Sequence, residues 1–194
     1  MGVRDGSSCG ERFPFFARYS GRPRWRWTIF MSSEKTGPLF SVDLMKPEDL
    51  PEILAIEAAS FRTPWTRGMF QDELRLPHAQ CMVVRAQQAG KSQVAAYIIF
   101  WLVADEVHLH NIAVRVDFRG QGLASGLMKL MRDIAQQAGA NRQTLEVRES
   151  NIRAINLYRR RGFVVKGKRP RYYDDTREDA LVMWAEIRQN GHHE

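Results

Sequence analysis

Cysteine is scarce in this 194-residue chain, which contains only Cys9 and Cys81. Two cysteines cannot build the disulfide framework of a small secreted domain, and neither stands in a spacing typical of zinc ligands. Long apolar runs are missing too, since the longest, residues 94–104, is too short to span a bilayer and predicts a buried strand. The first thirty residues also lack the apolar stretch of a signal peptide. These absences favour a cytoplasmic protein in a reducing compartment.

Positive charge is unevenly distributed along the chain. The formal net charge is +7, and residues 1–30 hold six arginines against two acidic residues without any helical or strand periodicity. A linker containing serine, glycine and proline begins at Met31. We expect residues 1–39 to be a disordered basic leader or a mis-assigned start, 40–188 to form one folded domain, and 189–194 a short polar tail. Alternatively, the leader is an arm, rich in arginine and aromatic residues, that binds nucleic acid.

Hydrophobic periodicity from residue 40 onward predicts the element order β-α-α-β-β-β-α-β-α-β-β. The best-defined helix begins at Leu123, repeats apolar residues every three or four positions and ends before Gly139. Pro47 predicts the start of the first helix, and Asn151 is a good N-cap for the last one. The final strands are expected at residues 163–165 and 180–185. This order is typical of an α+β, or mixed α/β, fold built on one central sheet.

A glycine-containing loop, residues 114–125, lies between a predicted strand and the best-defined helix. Gly120 and Gly122 allow a tight backbone that exposes several N–H groups, and the helix N-terminus behind them favours negative charge. The loop therefore predicts a cradle for a phosphate or pyrophosphate. A Walker loop would need Gly-Lys-Ser/Thr, and the dinucleotide fingerprint would need glycine in place of Ser125. ATP and NAD are disfavoured as ligands for this reason.

The same loop resembles the acetyl-coenzyme A pyrophosphate loop of GNAT-type N-acetyltransferases, Arg/Gln-x-x-Gly-x-Gly/Ala, over residues 119–124. Downstream, residues 145–148 (LEVR), 154–158 (AINLY) and 162–163 (GF) follow the order and spacing of that superfamily. Residues 111–114 (NIAV), among others, are similar to the RimI-type ribosomal-protein alanine N-acetyltransferases. The resemblance covers roughly residues 40–187, and the leader lies outside it.

The resemblance implies a GNAT-type fold, with a mixed, mostly antiparallel central sheet flanked by helices, and acetyl-CoA as co-substrate without a metal. It also implies Glu146 as the general base and Tyr158 as the general acid. These roles suit the reaction, because an attacking amine must lose a proton and a departing thiolate must gain one. The residues that the resemblance implies for acetyl-CoA binding are Ile112, Ala113, Val114, Arg119, Gly120, Gln121, Gly122, Leu123, Ala124, Ser125 and Asn151.

A purely structural role stays open for several candidate residues. Glu146 could be an exposed strand carboxylate that balances a neighbouring arginine, and Tyr158 a core aromatic on an amphipathic helix. Cys81 has no neighbouring base and is expected to pack in the core, which favours direct acetyl transfer in a ternary complex over an acetyl-cysteine. His108 and His110 alternate on one strand face, yet no third ligand is identifiable, so we assign no metal.

The surroundings of the predicted site leave further alternatives. Arg119 is either a phosphate contact or a solvated loop cation. Several acidic residues near the predicted mouth could hold a basic peptide or could form a solvated loop surface. These acidic residues are Asp105, Glu106, Asp174, Asp175, Glu178 and Asp179.

Three functions remain open from the sequence. The resemblance implies acetylation of a protein N-terminus, with the N-terminal alanine of small-ribosomal-subunit protein eighteen as acceptor. An α-amine, with a reference pKa near 7.7–8.0 against about 10.4 for lysine, suits a weak carboxylate base better. The second hypothesis keeps the fold and the donor but takes a small amine or a lysine as acceptor. The third is an RNA- or ribosome-binding module with a vestigial acetyltransferase fold.

Overall fold

The structure, a computed structural model, describes residues 38–88 and 90–188. The strands are β1 (Leu39–Leu44), β2 (Ala79–Gln88), β3 (Lys91–Val103), β4 (Glu106–Val114), β5 (Arg142–Arg148), β6 (Val164–Tyr173) and β7 (Glu178–Glu186). The helices are α1 (Leu50–Ala58), α2 (Arg67–Glu73), α3 (Leu123–Gln137) and α4 (Ile152–Arg160). Most of the expected basic leader and the whole polar tail, residues 1–37 and 189–194, lie outside the described residues. In the described parts, no helix combines the length and apolarity that crossing a membrane requires.

The seven strands form one sheet in the order β1-β2-β3-β4-β5-β7-β6. All pairs are antiparallel except β4 with β5, which run parallel. This parallel pair is short and ends where Leu109 lies opposite Leu145. Residues 111–114 continue to pair with β3 but no longer with β5, so one edge of β4 keeps backbone groups that the sheet does not use. The α+β fold expected from the sequence is confirmed.

Two apolar layers hold the helices against the two faces of the sheet. On one face, α3 and α4 bury Leu127 and Ile155, and on the other, α1 and α2 bury Ile53 and Phe70. Neighbouring residues of the central strand β3 alternate between the layers, since successive side chains of a strand point to opposite faces. Both faces of β3 are covered, which explains why residues 94–104 form the longest apolar run of the chain.

Local signals place the ends of α3 and α4 where the sequence predicts them. The side chain of Asn151 accepts a hydrogen bond from the backbone N–H of Ala154 at 3.1 Å, which satisfies one of the free donors of the first turn of α4. Gly139 follows α3 with φ +81°, a left-handed conformation that glycine adopts without strain. The first helical segment differs slightly, because Pro47 opens a short 3-10 turn and α1 starts at Leu50.

The prediction for β6 was too short, at residues 163–165, whereas the strand runs over Val164–Tyr173. Every residue of β6 except the last is exposed, so no apolar alternation marks the strand in the sequence. The strand lies at the edge of the sheet and carries several cations, which is how natural proteins discourage pairing with another chain.

One fully buried carboxylate, Glu57 of α1, joins several elements beneath β4. It accepts hydrogen bonds from the Tyr97 hydroxyl, from the Asn111 side-chain amide at 3.3 Å and from the backbone N–H of Trp65 at 2.9 Å. Burial raises the pKa of Glu57, and the three donors oppose that shift. A buried carboxylate needs such donors, because its desolvation is otherwise unfavourable. The network ties α1 and the loop before α2 to β3 and β4.

Tyr97→Phe is expected to lower the free energy of unfolding by about 1–3 kcal/mol, because the change removes one donor from a buried acceptor. Urea unfolding with an unchanged m-value measures the effect. Tyr172→Phe is the matched control, since Tyr172 is 46% exposed and the same change there should stay within about 0.5 kcal/mol. Equal urea midpoints for the two variants would contradict a stabilising role of the Glu57 network.

Candidate active site

The glycine loop leads directly into the N-terminus of α3, as the sequence predicted. Gly122 is the N-cap of α3 and has φ +78°, and Gly120 has φ +80°, both in the left-handed region that glycine tolerates. No side chain caps this helix end, so the unpaired N–H groups of its first turn and the positive end of its dipole remain available to an anion. A Cβ added at Gly120 would meet no heavy atom within 4 Å. The loop fits a phosphate group on these grounds.

The polar side chains of the loop bind within the chain. Arg119 donates from Nε to the carbonyl oxygen of Val114 and from Nη2 to Ser60 Oγ, each at 3.0 Å. Ser125 Oγ accepts a hydrogen bond from Arg161. Arg119 therefore braces the loop against the end of β4 and against Ser60 after α1, and its contact with a phosphate stays a prediction. The anion-binding capacity of the loop rests on its backbone.

The end of β4 offers backbone groups beside this loop. Ile112 and Val114 are half-buried and pair with Ile98 and Ala96 of β3, leaving the opposite strand edge without a partner in β5. The β3–β4 register shifts just before this segment, so that His110 is an extra residue in β4. An amide-containing ligand could add to this edge as an extra strand would.

Glu146 lies in the middle of β5, next to the point where β4 and β5 stop pairing. Its side chain is 14% exposed, and its Oε2 and Oε1 atoms lie 3.0 Å from His108 Nε2 and 3.1 Å from Arg169 Nη2. The hydrogen bond with His108, together with the nearby positive charges, lowers the pKa of Glu146 in spite of its partial burial. The carboxylate is therefore ionised at neutral pH. It does not pair with Arg148, which binds Asp175 instead.

Tyr158 combines a packed ring with an unengaged hydroxyl group. It is 6% exposed, and its ring lies against Phe163 with centroids 5.9 Å apart. Its hydroxyl makes no hydrogen bond to any residue that the structure describes. Burial, and to a smaller extent Tyr173, raises the pKa of Tyr158 above its ordinary value. The phenol thus keeps its proton at neutral pH and can donate it.

Four of the acidic residues that could hold a basic peptide are already paired inside the chain, and one of them is Glu106, which pairs with Arg142. Asp175 accepts hydrogen bonds from Thr63 Oγ1 at 2.5 Å and from Arg148 at 2.9 Å. The bond from Thr63, and next the one from Arg148, lowers the pKa of Asp175 to about 2. Glu178 and Asp179 each accept a backbone N–H and pair with a cation. This pairing supports the alternative of a solvated loop surface, and it ties the α1–α2 loop to the β6–β7 turn.

Cys81 is buried in the layer beneath α1 and α2. Burial, followed by the charge of Glu73, raises the pKa of the Cys81 thiol to about 12. A thiol that stays protonated is a poor nucleophile. This supports direct transfer over an acetyl-cysteine.

Sequence reasoning missed two contacts of Glu146, those with His108 and with Arg169. The histidines of β4 were considered only as metal ligands, and no group of three metal-binding side chains occurs within residues 38–88 and 90–188. His108 and Glu146 stand 38 positions apart, and the parallel pairing of β4 with β5 brings them together. Only knowledge of that pairing could have revealed the contact.

Comparison with known proteins assigns the family. The Acetyltransferase (GNAT) family model matches residues 50–163. The [ribosomal protein bS18]-alanine N-acetyltransferase of Escherichia coli K12 is 34% identical over 145 residues, which span 74% of this chain and 95% of that protein. A Bacillus subtilis protein to which the same name is provisionally assigned is 37% identical over 146 residues. These residues span 75% of this chain and 94% of the Bacillus subtilis protein.

A solved structure supports the same assignment. The crystal structure of the ribosomal-protein-S18-alanine N-acetyltransferase from Escherichia coli superposes with a TM-score of 0.69 at 32% identity and covers 80% of this chain and 98% of that one. The residues that the family model matches include strands β2 to β5, the glycine loop and both candidate proton-transfer residues. The chain therefore belongs to the GNAT acetyltransferase family and, within it, to the RimI-type ribosomal-protein alanine N-acetyltransferases.

Proposed function

We propose that this protein transfers the acetyl group of acetyl-CoA to the N-terminal α-amine of a protein, with the N-terminal alanine of ribosomal protein bS18 as acceptor. One observation carries the proposal: an ionised Glu146 and a protonated Tyr158 share one site beside the glycine loop. Tyr173 interacts electrostatically with both residues, which supports their placement in one site. The names of the Escherichia coli and Bacillus subtilis relatives, which are ribosomal protein bS18-alanine N-acetyltransferases, support the choice of acceptor.

The donor site that we propose is built mainly from backbone. The N–H groups of residues 120–125 would hold the pyrophosphate, and the free edge of residues 112–114 would pair with the pantetheine amides. Asn151 remains a proposed contact, although its side-chain oxygen is engaged as the cap of α4. When bound, acetyl-CoA supplies an activated acetyl group as a thioester with a good leaving group.

Two protein groups handle the protons in this proposal. Glu146, held ionised by His108 and Arg169, accepts the proton that the acceptor nitrogen loses as it attacks. Tyr158 donates its hydroxyl proton to the leaving group, and its raised pKa ensures that this proton is present at neutral pH. Both groups start in the protonation state that their role requires.

Gly122→Val is expected to weaken acetyl-CoA binding by about tenfold or more, which corresponds to about 1.4 kcal/mol. The reason is that Gly122 holds a left-handed φ of +78°, which a β-branched residue adopts only with strain. Isothermal titration calorimetry measures the change. Gly167→Val is the control, because Gly167 lies in the exposed strand β6 with open space around its Cα. Unchanged affinity in the Gly122 variant would contradict the proposed cradle.

The acceptor is tested by steady-state kinetics with three amines and acetyl-CoA. The first is a basic peptide that starts with alanine and contains lysine, the second is the same peptide with a blocked N-terminus, and the third is a polyamine. The proposal predicts turnover of the first peptide and at most a trace with the other two. Comparable kcat/KM for the blocked peptide or the polyamine would favour the lysine or small-amine hypothesis instead.

A further inference from the structure

One continuous stretch of the folded domain carries positive charge without any acidic residue. Residues 150–173, which contain α4 and β6, include eight lysines and arginines and no aspartate or glutamate. The other described residues have the opposite balance, with fourteen cations against eighteen acidic residues. The positive charge of the domain is therefore concentrated on these two neighbouring elements.

Three of the eight cations are engaged within the chain. Arg161 donates a hydrogen bond to the glycine loop, Arg169 pairs with Glu146, and Lys168 pairs with two carboxylates. The other five are exposed, and we call them the basic surface: Arg153, Arg159, Arg160, Lys166 and Arg171. The side chains of the first four make no hydrogen bond or ion pair with any residue in the described part of the chain. Their charges are thus available to an anion from outside.

The basic surface is elongated. Arg153 and Arg160 lie two turns apart on the face of α4 opposite the buried Ile155. The helix ends in a tight turn, in which the backbone N–H of Gly162 bonds to the carbonyl oxygen of Arg159, and β6 begins two residues later. The ten residues of β6 then extend over about 30 Å, at about 3.3 Å per residue. Cations spread over this length fit a chain of phosphates better than a single small anion.

Exposed apolar side chains accompany the cations on the same two elements. Ile152 of α4 is 60% exposed, and Val164 and Tyr172 of β6 are 52% and 46% exposed. An exposed aromatic ring among cations is typical of surfaces that bind single-stranded nucleic acid, where bases stack on the ring and phosphates contact the cations. The apolar face of α4 is buried in the core, so this helix cannot insert into a bilayer as an amphipathic anchor would. A nucleic acid therefore suits the surface better than a membrane.

We propose that the basic surface binds RNA through its phosphate backbone. Four of its five cations are arginines, whose guanidinium groups can bind a phosphate through two parallel hydrogen bonds. The choice of RNA among anionic chains rests on the proposed function, because a ribosomal protein is found beside ribosomal RNA. Strand β6 also leads from this surface to the proposed active site, where Arg169 contacts Glu146. RNA bound here raises the effective concentration of an acceptor N-terminus that is attached to the same particle.

The test compares two full-length variants that each lose three positive charges. The first variant neutralises three cations of the basic surface: Arg159→Gln, Arg160→Gln and Lys166→Gln. The second is the matched control and neutralises three exposed cations on other elements: Lys46→Gln, Lys91→Gln and Arg132→Gln. Both variants keep the six arginines of residues 1–30. A difference in RNA affinity between them is therefore due to the position of the lost charges.

Fluorescence anisotropy with a labelled single-stranded RNA of mixed sequence measures the Kd at several salt concentrations. We expect the Kd of the basic-surface variant to rise about tenfold or more at about 0.1 M salt, and the slope of log affinity against log salt to fall by about two, for the loss of three phosphate contacts. The control variant should stay within about threefold of the wild type. Equal Kd values for the two variants would overturn the proposal.

Two further probes separate the other anionic partners. Polyglutamate and vesicles containing phosphatidylserine should each bind the wild-type protein more weakly than the RNA does, and binding of either as tightly as the RNA would overturn the choice of partner. The basic-surface variant should retain wild-type kcat with the alanine-starting peptide, because its three altered residues lie outside the proposed active site. Lack of turnover by the wild-type protein would defeat the proposed function, whereas the RNA measurements would still decide whether the basic surface binds RNA.

Discussion

Glu146→Gln is expected to lower kcat by about 100- to 10,000-fold, the range typical for loss of a general base. The glutamine has nearly the same shape and can still contact His108 and Arg169, but it cannot accept the proton of the acceptor nitrogen. The affinity for acetyl-CoA should stay unchanged, because the proposed donor site is built from β4 and the glycine loop.

The pH profile of this variant provides a second, independent readout. In the wild type, the lowered pKa of Glu146 keeps the carboxylate ionised at a pH where an ordinary glutamate would begin to be protonated. Without the carboxylate, turnover requires an acceptor amine that has already lost its proton, so the residual rate should rise with pH up to about 8, near the reference pKa of an α-amine. Glu149→Gln, on an exposed side chain, is the matched control and should behave as the wild type. Wild-type kcat in Glu146→Gln would remove this residue from the mechanism.

Tyr158→Phe is expected to lower kcat by about 100-fold or more with little change in acetyl-CoA affinity. The phenylalanine keeps the ring that packs against Phe163, and the lost hydroxyl makes no hydrogen bond within the described residues. The free energy of unfolding should therefore change by no more than about 0.5 kcal/mol.

This separation of activity from stability distinguishes a proton donor from a core aromatic. Pre-steady-state mixing should place the loss in the acetyl-transfer step, and calorimetry should show wild-type binding of the donor. Tyr172→Phe serves as control, because that ring is exposed at the sheet edge and should leave kcat unaltered. A Tyr158→Phe variant that unfolds more readily but turns over normally would assign the residue a purely structural role.

Local signals in the sequence were sufficient to predict the elements that carry the proposed donor site. The apolar repeat of α3, the glycines before it and the Asn151 cap each depend on residues within a few positions of one another, so periodicity and capping rules capture them. Strand β6 was underestimated because its exposed residues show no alternation, and only its pairing with β7 defines it.

Contacts between distant segments lay beyond sequence reasoning. The environment of Glu146 depends on His108, which reaches it through the parallel β4–β5 pair, and on Arg169, which reaches it from β6 across β7. The hydrogen bond from the Arg119 guanidinium to Ser60 after α1 likewise joins distant segments, whereas its predicted contact with a phosphate rests on its place in the loop. The proposed acid and base were identified from a motif, while their protonation states follow only from the folded geometry.

The most direct test of the account uses intact bS18 with an unblocked N-terminal alanine, acetyl-CoA and the full-length protein. Tandem mass spectrometry of the product locates the acetyl group. We predict a single acetyl group on the α-amine of the alanine. In the Glu146→Gln and Tyr158→Phe variants, the amount of this product should fall together with kcat. Acetylation confined to lysine side chains, or no transfer by the wild-type protein, would contradict the proposed function.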